Sequence, residues 1–260
     1  MITAEKLTFG FNSTLLFQNI AFTLEENCHC ALIGSNGTGK TTLMNLIREP
    51  ANYIFDGKLK LEGAGRIGYV SQFAIRDGDQ SVTVYDYLCQ DFLQLEQAIS
   101  DVCLQMESAE DMDALMERYQ NLLDESDAID ADNHNVNIRK QLKLAELEEK
   151  ASLALENLSG GELKLVQVIR QMLRRPGVLI MDEPFVGLDP KAIFDMKEVM
   201  RNIVKEGGTI FFSTHILDMA EKLCDRVAIV KKGQLIKVGD MKKIKGDKSL
   251  EKVFLELEAK

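Results

Sequence analysis

The sequence has no apolar run close to the roughly 18 residues that a membrane-spanning helix needs. Residues 1–6 also lack the charged start and the apolar stretch of a secretory signal peptide. Basic residues are fewer than acidic ones, 31 against 41, and the net charge is −10. We therefore expect a cytoplasmic protein. We expect no direct DNA binding, because coating a nucleic acid requires a basic surface.

Cysteine patterns typical of metal sites are missing as well. The five cysteines are odd in number, and Cys28 and Cys30 flank His29 without a second Cys or His pair at zinc spacing. Most cysteines lie in apolar stretches, so we expect buried thiols. The chain shows no internal repeat and no low-complexity linker, and its 260 residues suffice for one large domain or a domain with a subdomain.

Strand-like and helix-like patterns alternate along most of the chain. This alternation predicts an α/β fold with a mostly parallel sheet and with ligands at the carboxyl ends of the strands. Between about residues 81 and 157 apolar residues recur at helical spacing among Glu, Asp and Gln, which predicts a helical insert. Within it we expect residues 124–137, which are acidic and polar, to form a loop with weak helix. The expected division is a core of residues 1–80 and 158–260 and a helical subdomain of residues 81–157.

A glycine-rich loop follows the apolar residues 30–33 and precedes a helical pattern. It has the spacing G-x-x-x-x-G-K-T. Glycines let such a loop wrap around a phosphate chain, and the helix N-terminus adds the positive end of its dipole. Lys40 is placed to reach the β- and γ-phosphates, and the Thr41 hydroxyl to bind Mg²⁺. A turn that binds nothing is the alternative. The residues expected at the phosphates are Ser35, Asn36, Gly37, Thr38, Gly39, Lys40, Thr41 and Thr42.

Two carboxylates, Asp182 and Glu183, follow the apolar strand pattern of residues 178–181. Successive residues of a strand point to opposite sides. Asp182 is therefore a candidate Mg²⁺ ligand, directly or through water, and Glu183 a candidate general base for an attacking water. A strand that merely ends in solvated carboxylates is the alternative, and the phosphate loop upstream argues against it.

The segment Leu158-Ser159-Gly160-Gly161-Glu162 begins a helix. Ser159 and Glu162 have the spacing of a capping box. The two glycines leave backbone N–H groups exposed to an anion at the positive end of the helix dipole. An ordinary helix cap remains the alternative for this segment taken alone.

Together, these motifs resemble the ATP-binding cassette (ABC) ATPases over essentially the whole chain. The resemblance rests on residues 34–42, Gln72, the signature at residues 158–162, the Asp182-Glu183 pair and His215. It implies a P-loop fold with a RecA-like, mostly parallel sheet, an N-terminal antiparallel β edge and the inserted helical subdomain. It also implies ATP and Mg²⁺ as ligands, ATP hydrolysis, and two cassettes that pair head to tail around two ATP molecules.

The resemblance also implies a role for individual residues. Ser159, Gly160 and Gly161 would lie at the ATP of the partner chain, and Asp189 at the dimer interface. Gln72 would lie near Mg²⁺ and the attacking water. The remaining two candidates are His215, expected at the γ-phosphate, and Phe11, expected to stack on adenine. A solvent-facing or core histidine is the alternative for His215. For Phe11 the alternative is core packing, since Phe9 and Phe17 compete for its role.

Two features depart from the family. Leu165 stands where a basic residue is usual, and Ile169 where a small one is usual, and bulk at a packed helix face costs about 1–3 kcal/mol.

The two parts of the chain also resemble different branches of the family. Residues 1–183 resemble a cassette of the soluble, ribosome-binding ABC-F proteins, and residues 184–260 a transporter ATPase. This mismatch raises the hypothesis of a mosaic, engineered chain joined near residues 182–184.

Three functions follow as alternatives. The first is an energising subunit of a membrane transporter, peripheral at the inner face of the membrane, and the transporter-like C-terminal part favours it. The second is a ribosome-associated factor, which the missing linker to a second cassette disfavours. The third is a chimera that binds ATP without a physiological partner.

Overall fold

The structure, a computed structural model, describes residues 1–11, 14–62, 65–73, 78–107 and 112–258. The chain divides into two compact units, one of residues 1–73 and 176–260 and the other of residues 74–175. No helix among the described residues is long and apolar enough to cross a membrane.

A six-stranded sheet forms the centre of the first unit, in the order β5-β6-β7-β3-β8-β9. Its strands are β3 (His29–Ile33), β5 (Ile67–Val70), β6 (Val178–Met181), β7 (Thr209–Thr214), β8 (Arg226–Lys231) and β9 (Gln234–Asp240). All neighbours are parallel except β8 and β9. Every residue of β3, β6 and β7 is buried, as expected for parallel strands covered on both faces.

The same unit contains a smaller antiparallel sheet, in the order β2-β1-β4, which packs against the six-stranded sheet. Its strands are β1 (Ile2–Phe11), β2 (Thr14–Leu24) and β4 (Asp56–Leu61). Phe22 of β2 stacks on Phe211 of β7, with ring centroids 6.1 Å apart. Residues of both sheets and of the helix α1 (Lys40–Arg48) share one hydrophobic core, which holds the helix against the sheets. The fold class expected from the sequence, including the antiparallel edge, is confirmed.

The remaining helices of this unit follow β6 in the chain. They are α6 (Pro190–Lys205), α7 (Leu217–Leu223), α8 (Met241–Lys245) and α9 (Leu250–Glu258). Asp189 caps α6 by accepting a hydrogen bond from the Ala192 N–H at 2.9 Å, and Pro190 occupies the first helical position. Strands and helices alternate from β6 to β8, as the sequence pattern predicts.

The second unit is helical. It contains α2 (Val84–Met106), α3 (Met112–Ile129), α4 (His134–Leu144) and α5 (Gly160–Leu173). Arg170 of α5 binds Asp91 of α2 through two hydrogen bonds, of 2.6 and 3.2 Å, and its guanidinium lies 4.5 Å from the Tyr87 ring centroid. This contact helps to explain why the helix after the signature belongs to the helical unit. The second unit runs from Ala74 to Arg175, whereas the expected helical subdomain ends at residue 157.

Residues 124–137, expected to form a loop with weak helix, are mostly helical, because α3 continues to Ile129 and α4 begins at His134. Buried Ile129 and Ile138 anchor the two helices. Asp130, at a φ of 56°, makes the turn between them and accepts hydrogen bonds from Asn133 and Asn137. Acidic and polar composition predicted a loop there, but packing and capping of the turn decide the structure.

The cysteine expectation holds for four of the five thiols. Cys28, Cys30, Cys89 and Cys224 are buried, whereas Cys103 is exposed on α2. Burial raises the pKa of Cys28 to about 11 and that of Cys30 to about 12, so both stay protonated and unreactive at neutral pH. The expectation of a buried Cys103 is wrong, because it lies on the outward face of its helix.

We predict that Ile180→Ala lowers the free energy of unfolding by about 2–5 kcal/mol, since Ile180 is fully buried in β6 and the change leaves a cavity. Ile54→Ala is the matched control, because Ile54 is 98% exposed, and it should change stability by less than about 0.5 kcal/mol. Guanidinium denaturation measures both values. Equal losses for the two variants would contradict the described core.

Candidate functional site

The glycine-rich loop joins β3 to α1, as the sequence predicts. Gly37 and Gly39 have φ angles of 80° and 90°, in the region that favours glycine. At Gly39 a Cβ would also lie 2.5 Å from the Phe17 ring, so no larger residue fits there. Thr38 closes the loop by donating its hydroxyl to the Ser35 carbonyl at 2.9 Å.

Lys40, the first residue of α1, is 7% exposed and turns back into the loop. Its ammonium donates hydrogen bonds to the carbonyls of Gly34 at 2.8 Å and Ser35 at 3.3 Å. It also lies 3.6 Å from Glu183 Oε1. The positive charge is therefore held between the phosphate loop and the candidate general base.

Asp182 is 3% exposed at the end of β6. Its Oδ2 accepts a hydrogen bond from the Thr41 hydroxyl at 2.6 Å, and its Oδ1 one from Ser213. Its backbone N–H donates to the Val70 carbonyl at 2.9 Å. A buried carboxylate beside a threonine hydroxyl offers the oxygen ligands that Mg²⁺ prefers.

Glu183, which is 7% exposed, points to different partners. Its Oε2 lies 2.9 Å from Nδ1 of His215, whose side chain is half-exposed. Its backbone N–H donates to the Ser213 hydroxyl at 2.8 Å. Glu183 has a φ of 44°, an uncommon left-handed conformation for a residue with a side chain. The surrounding contacts hold this strained backbone, so they also fix the direction of the carboxylate.

These groups line one cavity of about 590 Å³ within the first unit. The phosphate loop and both carboxylates contribute to its lining. The lining residues are Phe11, Leu16, Asn36, Gly37, Gly39, Lys40, Thr41, Thr42, Gln72, Asp182, Glu183, Val186 and His215. The volume lies in the range of small-molecule sites. Phe11 is 55% exposed at this cavity, so its side chain is not packed in the core.

The residues suit a nucleoside triphosphate with Mg²⁺. The cavity offers one ammonium, threonine hydroxyls and two carboxylates, and these include the groups that bind phosphate and a hard cation. No cluster of three or more His, Cys, Asp or Glu side chains that could hold a metal occurs in the described part of the chain. A cation at Asp182 would thus rely on hydroxyl, amide, phosphate or water oxygens for its other ligands, which is typical of Mg²⁺.

The signature residues lie in the helical unit. Ser159 caps α5: its hydroxyl accepts a hydrogen bond from the Glu162 N–H at 3.3 Å, and Glu162 accepts one from the Ser159 N–H at 2.9 Å. Ser159 and Gly160 are exposed, and a Cβ on Gly160 would meet nothing within 4 Å. Leu165 and Ile169 are both fully buried in α5, so their bulk is part of the packed face of the helix.

Sequence reasoning missed Ser213. This residue joins the two carboxylates, because its hydroxyl donates to Asp182 and accepts from the Glu183 N–H. The available signal was a polar residue directly after the apolar run of residues 210–212 in β7. Its importance depends on the pairing of β7 with β6, which sequence patterns did not specify.

The phosphate loop, the carboxylate pair and the parallel sheet define a P-loop nucleoside triphosphatase. A family model described as "ABC transporter" matches residues 17–186. The chain therefore belongs to the ABC transporter family, and it is an ATP-hydrolysing ABC ATPase. The family resemblance expected from the motifs is confirmed.

Relatives with related names match most of the chain. "Nod factor export ATP-binding protein I" of Burkholderia lata is 28% identical over 88% of this chain and 67% of its own length. The protein of the same name from Ralstonia nicotianae is 29% identical over 92% of this chain and 67% of its own length. The uncharacterized ABC transporter ATP-binding protein YxlF of Bacillus subtilis is 27% identical over 94% of this chain and 72% of its own length.

Solved structures show the same fold. An ATP-binding subunit of an ABC transporter superposes with a TM-score of 0.74 at 22% identity, covering 99% of both chains. The cbiO1 protein of Clostridium perfringens, described as part of the ABC transporter complex cbiONQ, gives 0.70 at 24% identity over 99% of this chain and 96% of its own. The ABC-F likeness and the mosaic origin of the chain stay hypotheses, since neither comparison tests them.

We predict that Ser213→Ala lowers the free energy of unfolding by about 1–3 kcal/mol, because the Glu183 N–H loses its acceptor and Asp182 loses a donor. Ser100→Ala is the control, since Ser100 is exposed on α2, and it should stay within about 0.5 kcal/mol. Chemical denaturation compares the two. If Ser213→Ala matched the control, the hydroxyl would not be holding the two carboxylates.

Proposed function

We propose that the protein binds Mg-ATP and hydrolyses it in a head-to-tail homodimer, as the energising subunit of a membrane transporter. The observation that carries the proposal is the position of Glu183. Its buried carboxylate lies 2.9 Å from His215 and 3.6 Å from Lys40, beside the phosphate loop. A base, a cation and a polar imidazole therefore meet where a terminal phosphate would lie.

The phosphate chain is assigned to the loop of residues 35–42. Backbone N–H groups of this loop and the positive end of α1 would face the phosphates, and Lys40 would bind the β- and γ-phosphates. Mg²⁺ is assigned to Thr41, Asp182 and Gln72. When bound, it would neutralise charge on the β- and γ-phosphates. Phe11 is assigned to adenine, because its ring is exposed at the margin of the same cavity.

The chemical step needs a water activated in line with the γ-phosphate. Glu183 would take a proton from this water while the water oxygen attacks the γ-phosphorus, and the bond from phosphorus to the ADP oxygen breaks. Lys40 would stabilise the negative charge that remains on the phosphate oxygens. His215 would hold the Glu183 carboxylate through Nδ1 and contact the γ-phosphate.

Dimerisation follows from the two kinds of phosphate-binding element in one chain. The loop belongs to the first unit, and the signature residues Ser159, Gly160 and Gly161 belong to the second. The exposed N-terminus of α5 has the polarity that favours an anion. In a head-to-tail dimer this terminus would contact the γ-phosphate held by the partner chain. Asp189, two residues after Gly187 with its φ of 75°, would lie at the interface.

A transporter role is favoured by the relatives. They carry names of ATP-binding subunits for export or of ABC transporters, and they match this chain along 88–94% of its length. A subunit of this kind would lie at the inner face of a membrane and bind a membrane-spanning partner. No contact among the described residues specifically favours a ribosome-associated role or a chimera that binds ATP without a partner.

We predict that Glu183→Gln lowers ATP turnover by about 100-fold or more, because the general base is lost while ATP binding is kept. With saturating Mg-ATP this variant should change from monomer to dimer, and light scattering after size exclusion measures the change. Adding Lys40→Met should abolish ATP binding and the dimer together.

Glu5→Gln is the matched control, since Glu5 is an exposed glutamate of β1, and it should hydrolyse ATP at the parent rate. If Glu183→Gln bound ATP but remained monomeric at every protein concentration tested, the proposed dimer would be wrong. If it turned ATP over at the parent rate, Glu183 would not be the base.

A further inference from the structure

The signature of this chain contains a carboxylate next to its proposed phosphate-binding residues. Glu162 is the third residue of α5, and its Oε2 accepts a hydrogen bond from the Ser159 N–H at 2.9 Å. The reciprocal bond, from the Glu162 N–H to the Ser159 hydroxyl, measures 3.3 Å. The acid group is therefore fixed at the N-terminus of the helix rather than directed away into solvent.

A carboxylate in this position opposes the binding of phosphate. The backbone N–H groups and the dipole at a helix N-terminus attract one anion, and a second negative charge a few ångströms away repels it. The side chain of Glu162 is only 25% exposed, so water screens this repulsion incompletely. An anion-binding signature thus needs a positive charge that compensates Glu162.

Lys150 supplies that charge. Its ammonium forms an ion pair and a hydrogen bond with Oε1 of Glu162, the oxygen that the cap does not use. The backbone of Lys150 is held on both sides: its N–H donates to the Leu147 carbonyl at 3.0 Å, and its carbonyl accepts from the Leu153 N–H at 3.0 Å. Lys150 therefore reaches Glu162 from a fixed turn.

The carboxylate is charged at neutral pH. Burial raises the pKa of Glu162, but the hydrogen bonds from Lys150 and Ser159 outweigh this and hold the pKa below its usual value. The folded-state pKa is thus depressed, so the pair stabilises the fold above the usual glutamate pKa and is lost as the pH falls through the lowered value. Around pH 7 the Glu162 carboxylate is therefore ionised.

We propose that Lys150 neutralises Glu162 so that the signature can accept the γ-phosphate of ATP bound by the partner chain. This inference rests on the head-to-tail dimer proposed above and adds a positioning residue to it. Lys150 acts through Glu162 and does not touch the nucleotide. Without its ammonium, the carboxylate would remain at the helix terminus, and the repulsion would weaken ATP-driven dimerisation.

A role of Lys150 that does not pass through Glu162 makes a different prediction. The loss of Lys150 would then be equally harmful whether residue 162 carried a charge or not. Under charge compensation, the loss of Lys150 matters only while residue 162 is negative. Glutamine at residue 162 keeps an oxygen that can accept the Ser159 N–H, so it removes the charge and preserves the cap.

The experiment measures the Mg-ATP concentration that half-converts monomer to dimer, in the Glu183→Gln parent, by light scattering. We expect Lys150→Met, which keeps the aliphatic stem, to raise this concentration about tenfold. In the Glu162→Gln background the same Lys150→Met change should raise it less than about twofold. Lys150→Arg should behave like the parent, and added salt should reduce the effect of Lys150→Met.

Two controls separate folding from charge. Lys143→Met removes an exposed lysine from α4 in the same unit, and it should leave the half-conversion concentration within about twofold of the parent. Equilibrium binding of a fluorescent ATP analogue to the monomer should be the same in every variant, because the phosphate loop lies in the other unit.

Each outcome decides something different. An equal effect of Lys150→Met in the parent and in the Glu162→Gln background would overturn charge compensation and leave a role of Lys150 that does not pass through Glu162. If Lys150→Met dimerised as readily as the parent, the role of Lys150 alone would be overturned. A parent that binds ATP but never dimerises would overturn the proposed dimer and the role of Lys150 with it.

Discussion

The structure depends on two buried carboxylates at the carboxyl end of β6. Asp182 and Glu183 are 3% and 7% exposed, and a buried charge is costly unless it is paired and hydrogen-bonded. Asp182 is bound by hydroxyls of Thr41 and Ser213, and Glu183 by Lys40 and His215. The partners come from segments far apart in the chain, so the pair can form only when the sheet has its observed order.

That order places the strands where the chemistry needs them. β7 lies between β6 and β3 in the sheet, so the residues after all three strands meet at one edge. The loop after β3 provides the phosphate-binding backbone, the end of β6 the carboxylates, and the end of β7 Ser213 and His215. Glu183 has a left-handed backbone, with a φ of 44°. Its side chain therefore points toward Lys40 and His215, whereas that of Asp182 points toward Thr41 and Ser213.

Much of this site could be predicted from the sequence, because its motifs are local. The loop, the carboxylate pair and the capping box each occupy a few successive residues, and their spacing fixes their geometry. Ser213 and Lys150 could not be predicted this way. Ser213 reaches the two carboxylates only because β7 pairs with β6. Lys150 reaches Glu162 only because of the path of the turn that holds it. Residues 124–137 are more helical than expected for a similar reason, since buried Ile129 and Ile138 outweigh the polar composition.

In the proposed dimer, one complete ATP site would be built from the loop of one chain and the signature of another. The most direct test mixes two inactive variants, Lys40→Met and Ser159→Asp. Aspartate can still cap the helix, but its charge repels phosphate at the signature. A mixed dimer would contain one site with an intact Lys40 facing an intact Ser159. We expect the mixture to hydrolyse ATP at a rate well above the sum of the rates of the two variants measured alone. A mixture no more active than that sum would contradict the proposed dimer.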